Sequence, residues 1–110
     1  MENSKIQPYQ VYTYRTKDGD AYFQFSYHET ADGFEIDIHS NPDYRENDSG
    51  SHTAHWLPSS READRMICIK REFYPKTLKD AQDFSMAWAE LTWTYIKTGI
   101  SLDRQIEMQN

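Results

Sequence analysis

A chain of 110 residues has room for one hydrophobic core and not two, and at this size it buries roughly 65% of its unfolded surface, enough to fold without covalent staples. Eight Tyr, five Phe and three Trp supply the oily surface for that core, while the single Cys68 excludes an internal disulfide framework and suits a reducing compartment, so a cytoplasmic location is expected. The net charge of −6 is unevenly spread: residues 1–55 carry four Lys/Arg against ten Asp/Glu, and residues 56–110 carry eight of each. An acidic first half argues against general nucleic-acid binding and against anionic membrane surfaces.

Residues 1–10 are polar and lack the apolar stretch of a secretory signal, so 1–8 are expected to be a flexible start. No apolar run approaches the ~20 residues that span a bilayer. Asn47-Asp48-Ser49 fits a glycosylation sequon, which carries little weight without a secretory signal.

From residue 9 the pattern alternates. Two Asp-Gly pairs, Asp18-Gly19 and Asp32-Gly33, each separate alternating apolar runs, and Asp-Gly supplies the positive φ angles of a two-residue hairpin turn. With Asp18-Gly19 as the turn, Tyr14 faces Phe23 and Tyr12 faces Phe25. With Asp32-Gly33 as the turn, Tyr27 faces Ile38, Glu29 faces Ile36 and Ala31 faces Phe34. Both turns place Phe23, Phe25 and Tyr27 on one side with Tyr12, Tyr14, Phe34, Ile36 and Ile38. This predicts a three-stranded meander over 9–40 with one oily face. The other face carries Tyr9, Val11, Thr13 and Arg15, then Tyr22, Gln24, Ser26 and His28, then Glu35, Asp37 and His39, with His28 opposite Asp37 and His39 opposite Ser26.

Residues 41–64 are rich in Ser, Asn, Asp, Pro and Gly, and are expected to form a polar loop with a short strand near 52–57. A further strand is predicted over 65–73, where Met66-Ile67-Cys68-Ile69 suits a central position with Cys68 as a buried thiol. Thr77 is the expected N-cap of a long helix over 77–98, Asp80 lies in its positively polarised first turn, and Gly99 stops it. Spacing at 100° gives an apolar face of Ala81, Phe84, Trp88, Leu91 and Tyr95 with Ala87 at its edge; Met86, Ala89 and Trp93 fall on the far side. Residues 99–110 form a tail or short helix, with Ser101 as cap. The fold class is therefore α+β: an antiparallel β-meander of three to five strands with one long C-terminal helix packed across one face, in a single domain over 1–110.

Met86, Trp93 and Ala89 on a far helix side invite either cover by Ile100, Leu102 or Ile106, or contact with a second copy or another protein. Glu35 and Asp37 mark the polar sheet face as a second contact surface. His28, Asp37, His39, His52 and His55 are weak metal candidates: zinc takes His and carboxylate ligands, but no spacing here matches a zinc motif. The basic residues Arg61, Arg65, Lys70 and Arg71 are too sparse to form a stripe for nucleic acid. Conversely Asp18, Asp20, Glu29, Asp32, Glu35 and Asp37, on strands ~4.8 Å apart with alternate residues ~6.7 Å apart, could imitate phosphates. The sequence thus supports a small non-enzymatic protein-interaction module, self-associating or heterologous and without a cofactor. An acidic inhibitor mimicking nucleic acid, and a His/Asp metal-binding protein or small hydrolase, are the alternatives.

Overall fold

The computed structural model describes residues 10–109; the expected flexible stretch at 1–8 and the placement of Tyr9 lie outside them. Five strands, β1 (Tyr12–Arg15), β2 (Tyr22–Thr30), β3 (Gly33–Ser40), β4 (Trp56–Pro58) and β5 (Arg65–Ile67), form one antiparallel sheet in the order β1-β2-β3-β5-β4. A one-turn helix α1 (Ser51–Ala54) precedes β4, a 3-10 turn follows β5 at Arg71–Phe73, and two helices close the chain, α2 (Leu78–Thr98) and α3 (Leu102–Gln109). The α+β class stands, with the long helix across one face of the sheet. Among the described residues no helix is long and apolar enough to cross a membrane.

The first hairpin has the expected pairs, Tyr12 with Phe25 and Tyr14 with Phe23. Its loop is wider than a two-residue turn: Thr16 N–H donates to Ala21 O at 2.9 Å, so residues 17–20 form the tip, with Gly19 at φ +79°. Widening a loop symmetrically leaves the register untouched.

The second hairpin differs. Thr30 pairs with Gly33 around a tip of Ala31 and Asp32, so Tyr27 faces Ile36 rather than Ile38, Glu29 faces Phe34, and His28 faces Glu35 rather than Asp37. The displacement is two residues, which in a pleated strand returns every side chain to its own face. The oily face therefore survives although its partners change. Gly33 is needed for another reason than the turn: a Cβ there would lie 2.5 Å from Pro75 O and 2.8 Å from Tyr74 Cβ. That close approach lets Phe34 N–H donate to Pro75 O at 2.8 Å, alongside β3 beyond the end of β5. Farther along, the pairing shifts between Phe25–Ile38 and Gln24–Ser40, leaving His39 as an extra residue.

In the middle, the stretch expected as a strand near 52–57 splits into α1 and the three-residue β4, with His55 in a left-handed conformation (φ 59°) between them. The strand expected over 65–73 pairs only through Ile67, and it is central, between β3 and β4. Cys68 is exposed, not buried, because it stands just past the last sheet pair.

Both ends of α2 form as their residues dictate. Thr77 Oγ1 accepts from Asp80 N at 3.1 Å, and Gly99, at φ +78°, donates from its N–H to Tyr95 O at 2.7 Å. Its buried stripe differs from the expected one: Ala81, Ser85, Ala89, Thr92 and Ile96 face the sheet, with Trp88, Trp93 and Tyr95 beside them, while Phe84 is 39% exposed and Ala87 faces solvent. The cause is volume. β2 already supplies Phe23, Phe25 and Tyr27, so small residues on the helix permit close approach, and Trp88 fits edge-on to Phe23 and Phe25 at ring distances of 5.7 and 6.1 Å. Ser85 is not out of place there, since its hydroxyl meets Tyr27 OH at 2.8 Å and donates to Gln82 O.

Thr92 Oγ1 is fully buried and has no hydrogen-bond partner. Thr92→Val keeps the shape and removes that unsatisfied group, so it should leave stability unchanged or raise it by about 1 kcal/mol. Trp88→Ala should cost ~3–5 kcal/mol. Urea unfolding midpoints of the two variants against the parent check both.

Candidate functional site

Asp37 occupies the centre of β3 on the face away from α2, and it is 1% exposed. A carboxylate there cannot stand alone. Its counter-ion comes from the segment between β4 and β5: Arg61 Nε donates to Asp37 Oδ2 at 2.8 Å and Arg61 Nη2 to Asp37 Oδ1 at 3.0 Å, a two-pronged contact that matches guanidinium to carboxylate. The same Nη2 reaches Glu35 Oε1 at 2.7 Å, and Ser59 Oγ donates to Asp37 Oδ1 at 3.0 Å. Glu35 is held in turn by Tyr74 OH at 3.0 Å. The Asp37 contact, reinforced by Glu35, pushes the Arg61 guanidinium above its ordinary range, so its charge is permanent.

Beside this pair lies a second linkage. Ser26 Oγ is 2.7 Å from His28 Nε2 and 2.7 Å from His39 Nε2. His28 Nε2 also stands 3.3 Å from Asp37 Oδ2, where a lone pair would face a carboxylate, so that nitrogen carries the proton. Ser26 then accepts from His28 and donates to His39. Burial lowers the His28 pKa below the ordinary 6.5; Asp37 opposes the shift, while Arg61 and His39 add to it. Burial thus works against a charge on His28.

These residues floor a cleft of about 620 Å³ on the open sheet face, walled by Val11 on one side and by Arg61, Glu62 and Ala63 on the other. No protein-family model, curated protein or solved structure matches this chain. A Ser-His-Asp relay needs serine and carboxylate on different imidazole nitrogens. Here both meet His28 through Nε2, and the Ser26 oxygen is enclosed between two rings on a residue that is 1% exposed.

Of the expected metal candidates, His28, Asp37 and His39 meet, but the two imidazole nitrogens converge on a hydroxyl and Asp37 is taken by Arg61. His52 lies on α1, and His55 pairs with Asp103 at 3.1 Å, both away from the cleft. Among the described residues no group of three or more His, Cys, Asp or Glu is arranged to hold a metal ion.

The helix residues expected to form an exposed patch do not do so. Ala89 is fully buried, Trp93 is 6% exposed, and Met86 is half-buried in a groove beside Tyr12, Tyr14 and Tyr27. Trp93 meets one carboxylate and two cations. Its indole N–H donates to Asp18 Oδ2 at 2.8 Å, and Arg45 and Lys97 each lie 5.4 Å from its ring. Lys97 first, then the Asp20 N–H, the Thr16 hydroxyl and the indole, hold the Asp18 carboxyl well below the usual carboxylate range. Arg61 and Ser59, as partners of Asp37, are what sequence reasoning missed. The available signal was Asp37 itself, an inward carboxylate that required a cation from outside its own hairpin.

Because His28 binds its proton less readily in the folded chain, its contribution to stability is full above pH 6.5 and is lost as pH falls below that value. Arg61→Met removes a positive neighbour, so the His28 titration should move upward in that variant. It also strands Asp37, at a cost of ~3–5 kcal/mol. Imidazole NMR titrations at pH 4.5–8, with urea midpoints at each pH, check the directions.

Proposed function

We propose that this chain is a non-catalytic protein-interaction module that receives a basic segment of a partner in the cleft over the open face of its sheet. The observation that carries the reading is the charge balance. Among the described residues lining the cleft Arg61 is the cation, but it is consumed by Asp37 and Glu35, and Glu62 adds a further carboxylate to the wall. One fixed positive charge among the lining residues thus stands against two carboxylates, Asp37 and Glu62, with Glu35 holding Arg61 from outside the cleft. A positively charged side chain is drawn to such a concavity, and the excess acidity of residues 1–55 steers it there.

Asp37 and Ser26 on the floor are engaged by Arg61, Ser59, His28 and His39 before any ligand arrives, which favours recognition by shape and charge over chemistry on a substrate. The phosphate-mimic alternative has less support. Glu35 and Asp37 are turned onto Arg61, and Asp18 onto Lys97 and Trp93, which breaks up the array of free carboxylates that a mimic needs. A free thiol at Cys68 suits a reducing compartment, which supports the cytoplasmic location we propose.

Titration of the full chain with a nonapeptide of arginine, followed by amide NMR at 50 and 300 mM salt, tests the reading. Shifts should cluster at Val11, Ser26, His39 and Glu62 and weaken with salt. Glu62→Lys, at an exposed position, should reduce affinity several-fold. Glu29→Lys, exposed on the opposite sheet face, should not. Shifts confined to the hairpin tips, or equal losses in the two variants, would remove the cleft from consideration.

A further inference from the structure

β2 outruns its neighbour on one side. It pairs with β3 over residues 24–30, but β1 begins at Tyr12, opposite Phe25, and Gln10 and Val11 before it belong to no strand. Among the described residues, none therefore pairs with residues 26–30 of β2 on the β1 side, which leaves a free edge ~17 Å long. The first hairpin shows which backbone groups face it. Thr16 N–H donates to Ala21 O, and in an antiparallel ladder every second pair exchanges backbone bonds, so Phe23 and Phe25 aim their N–H and C=O at β1. The strand repeats every two residues, so Tyr27 and Glu29 aim theirs the same way, past the start of β1. Unpaired groups in such a row are a template for another strand.

A cavity lies on each face of this edge. On the polar face is the cleft, floored by Ser26 and His28 and walled by Val11 and Glu62. On the helix face is a groove of about 320 Å³, where Tyr12, Tyr14, Phe25 and Tyr27 meet Gln82 and Met86 of α2. An added strand turns successive side chains to opposite faces. A residue opposite Tyr27 would point into the groove, and its two neighbours, opposite Ser26 and His28, into the cleft. The aromatic groove suits an apolar side chain, since a cavity of roughly 150 Å³ already holds benzene. The cleft, with two carboxylates against one guanidinium in its lining, suits cations.

We infer, resting on the cleft reading above, that the partner segment enters as a β-strand added antiparallel to β2 along residues 26–30, one apolar side chain seated in the groove between two basic side chains in the cleft. Backbone bonds to Tyr27 and Glu29 supply affinity, and the two cavities select the order of residues. The apolar residue exchanges both backbone bonds with Tyr27, while the N–H groups of its basic neighbours point away from β2.

Capped pentapeptides of one composition, titrated into the full chain at 50 mM salt, test this. One has a leucine between two arginines, the other has the arginines adjacent, and threonine flanks both. The alternating order should bind about tenfold more tightly, because only it buries the leucine while both cations reach the cleft. At saturation, hydrogen exchange at the Tyr27 and Glu29 amides should slow by about tenfold or more. A methyl on the leucine nitrogen should abolish both effects, whereas a methyl on an arginine nitrogen should leave them. Equal affinity for the two orders, unchanged exchange at the two amides, or equal losses from the two methyl groups would overturn strand addition, and salt-sensitive shifts at Ser26, His39 and Glu62 would then still uphold the cleft. No shift at those three residues with either peptide would sink both. Slow exchange of Tyr27 and Glu29 in the free chain would also overturn it, because another segment or a second copy would already hold the edge.

Discussion

The carboxylate of Asp37 is the constraint from which the open face of the sheet is organised. A charge buried in the middle of a strand costs several kcal/mol unless it is paired and its remaining lone pairs are satisfied. The chain meets that requirement with Arg61 and Ser59, which fixes where residues 59–61 must lie, and with them the wall of the cleft. Ser59 N–H donates to Asp64 O and Asp64 N–H to Arg61 O, so the segment is locally closed and presents its guanidinium from a fixed base. The gain is positional rather than energetic: an apolar pair of similar volume would stabilise the sheet as well, but would not dictate a unique placement for the 59–63 wall.

The other face obeys a different rule, one of volume. Aromatic bulk sits on the strands and small residues on the helix, so α2 lies close to the sheet and Trp88 is its one large intrusion between Phe23 and Phe25. Hydrophobic periodicity reads Ser85 and Thr92 as polar and Phe84 and Leu91 as core, and so rotates the helix away from its true seat. Polarity misleads here because a hydroxyl costs little when it has a partner, as Ser85 does in Tyr27 and Gln82.

Much of the fold was nevertheless legible. The first register, both ends of α2, the central place of Met66-Ile67 and the short helix after Ser101 all follow from local chemistry. Arg104 N–H indeed donates to Ser101 Oγ at 3.1 Å. The second hairpin shows why the two faces were more secure than the pairs. Moving a turn by one position changes the pairing by two residues, and a pleated strand repeats every two. The cleft was half legible: Ser26, His28, Asp37 and His39 were assigned to one face, while Arg61 was set aside as an isolated surface charge. Nothing in a single sequence ties residue 61 to residue 37, because their contact spans 24 positions and follows no period.

The segment over 41–64 explains why two cavities escape a periodic reading. Its shape is held by side chains bonding to backbone rather than by an amphipathic pattern. Asn47 Nδ2 donates to Tyr44 O and Ile96 O, Tyr95 OH to Asp48 O, and Trp56 Nε1 to Ser49 O. Asp48 accepts from Gly50 N–H and Thr53 Oγ1, contacts that hold its carboxyl below the ordinary range. These bonds commit the Asn47 amide nitrogen to the fold, which leaves it no role as a glycan acceptor once the chain has folded. They also turn an apparently formless stretch into the frame of two cavities: residues 61–63 wall the cleft over β3, and His55 lines a cavity between α2 and α3. A segment specified by isolated polar bonds has no repeat to detect, yet each bond fixes a position. That is how side chains far apart in sequence come to share a pocket without any motif announcing it.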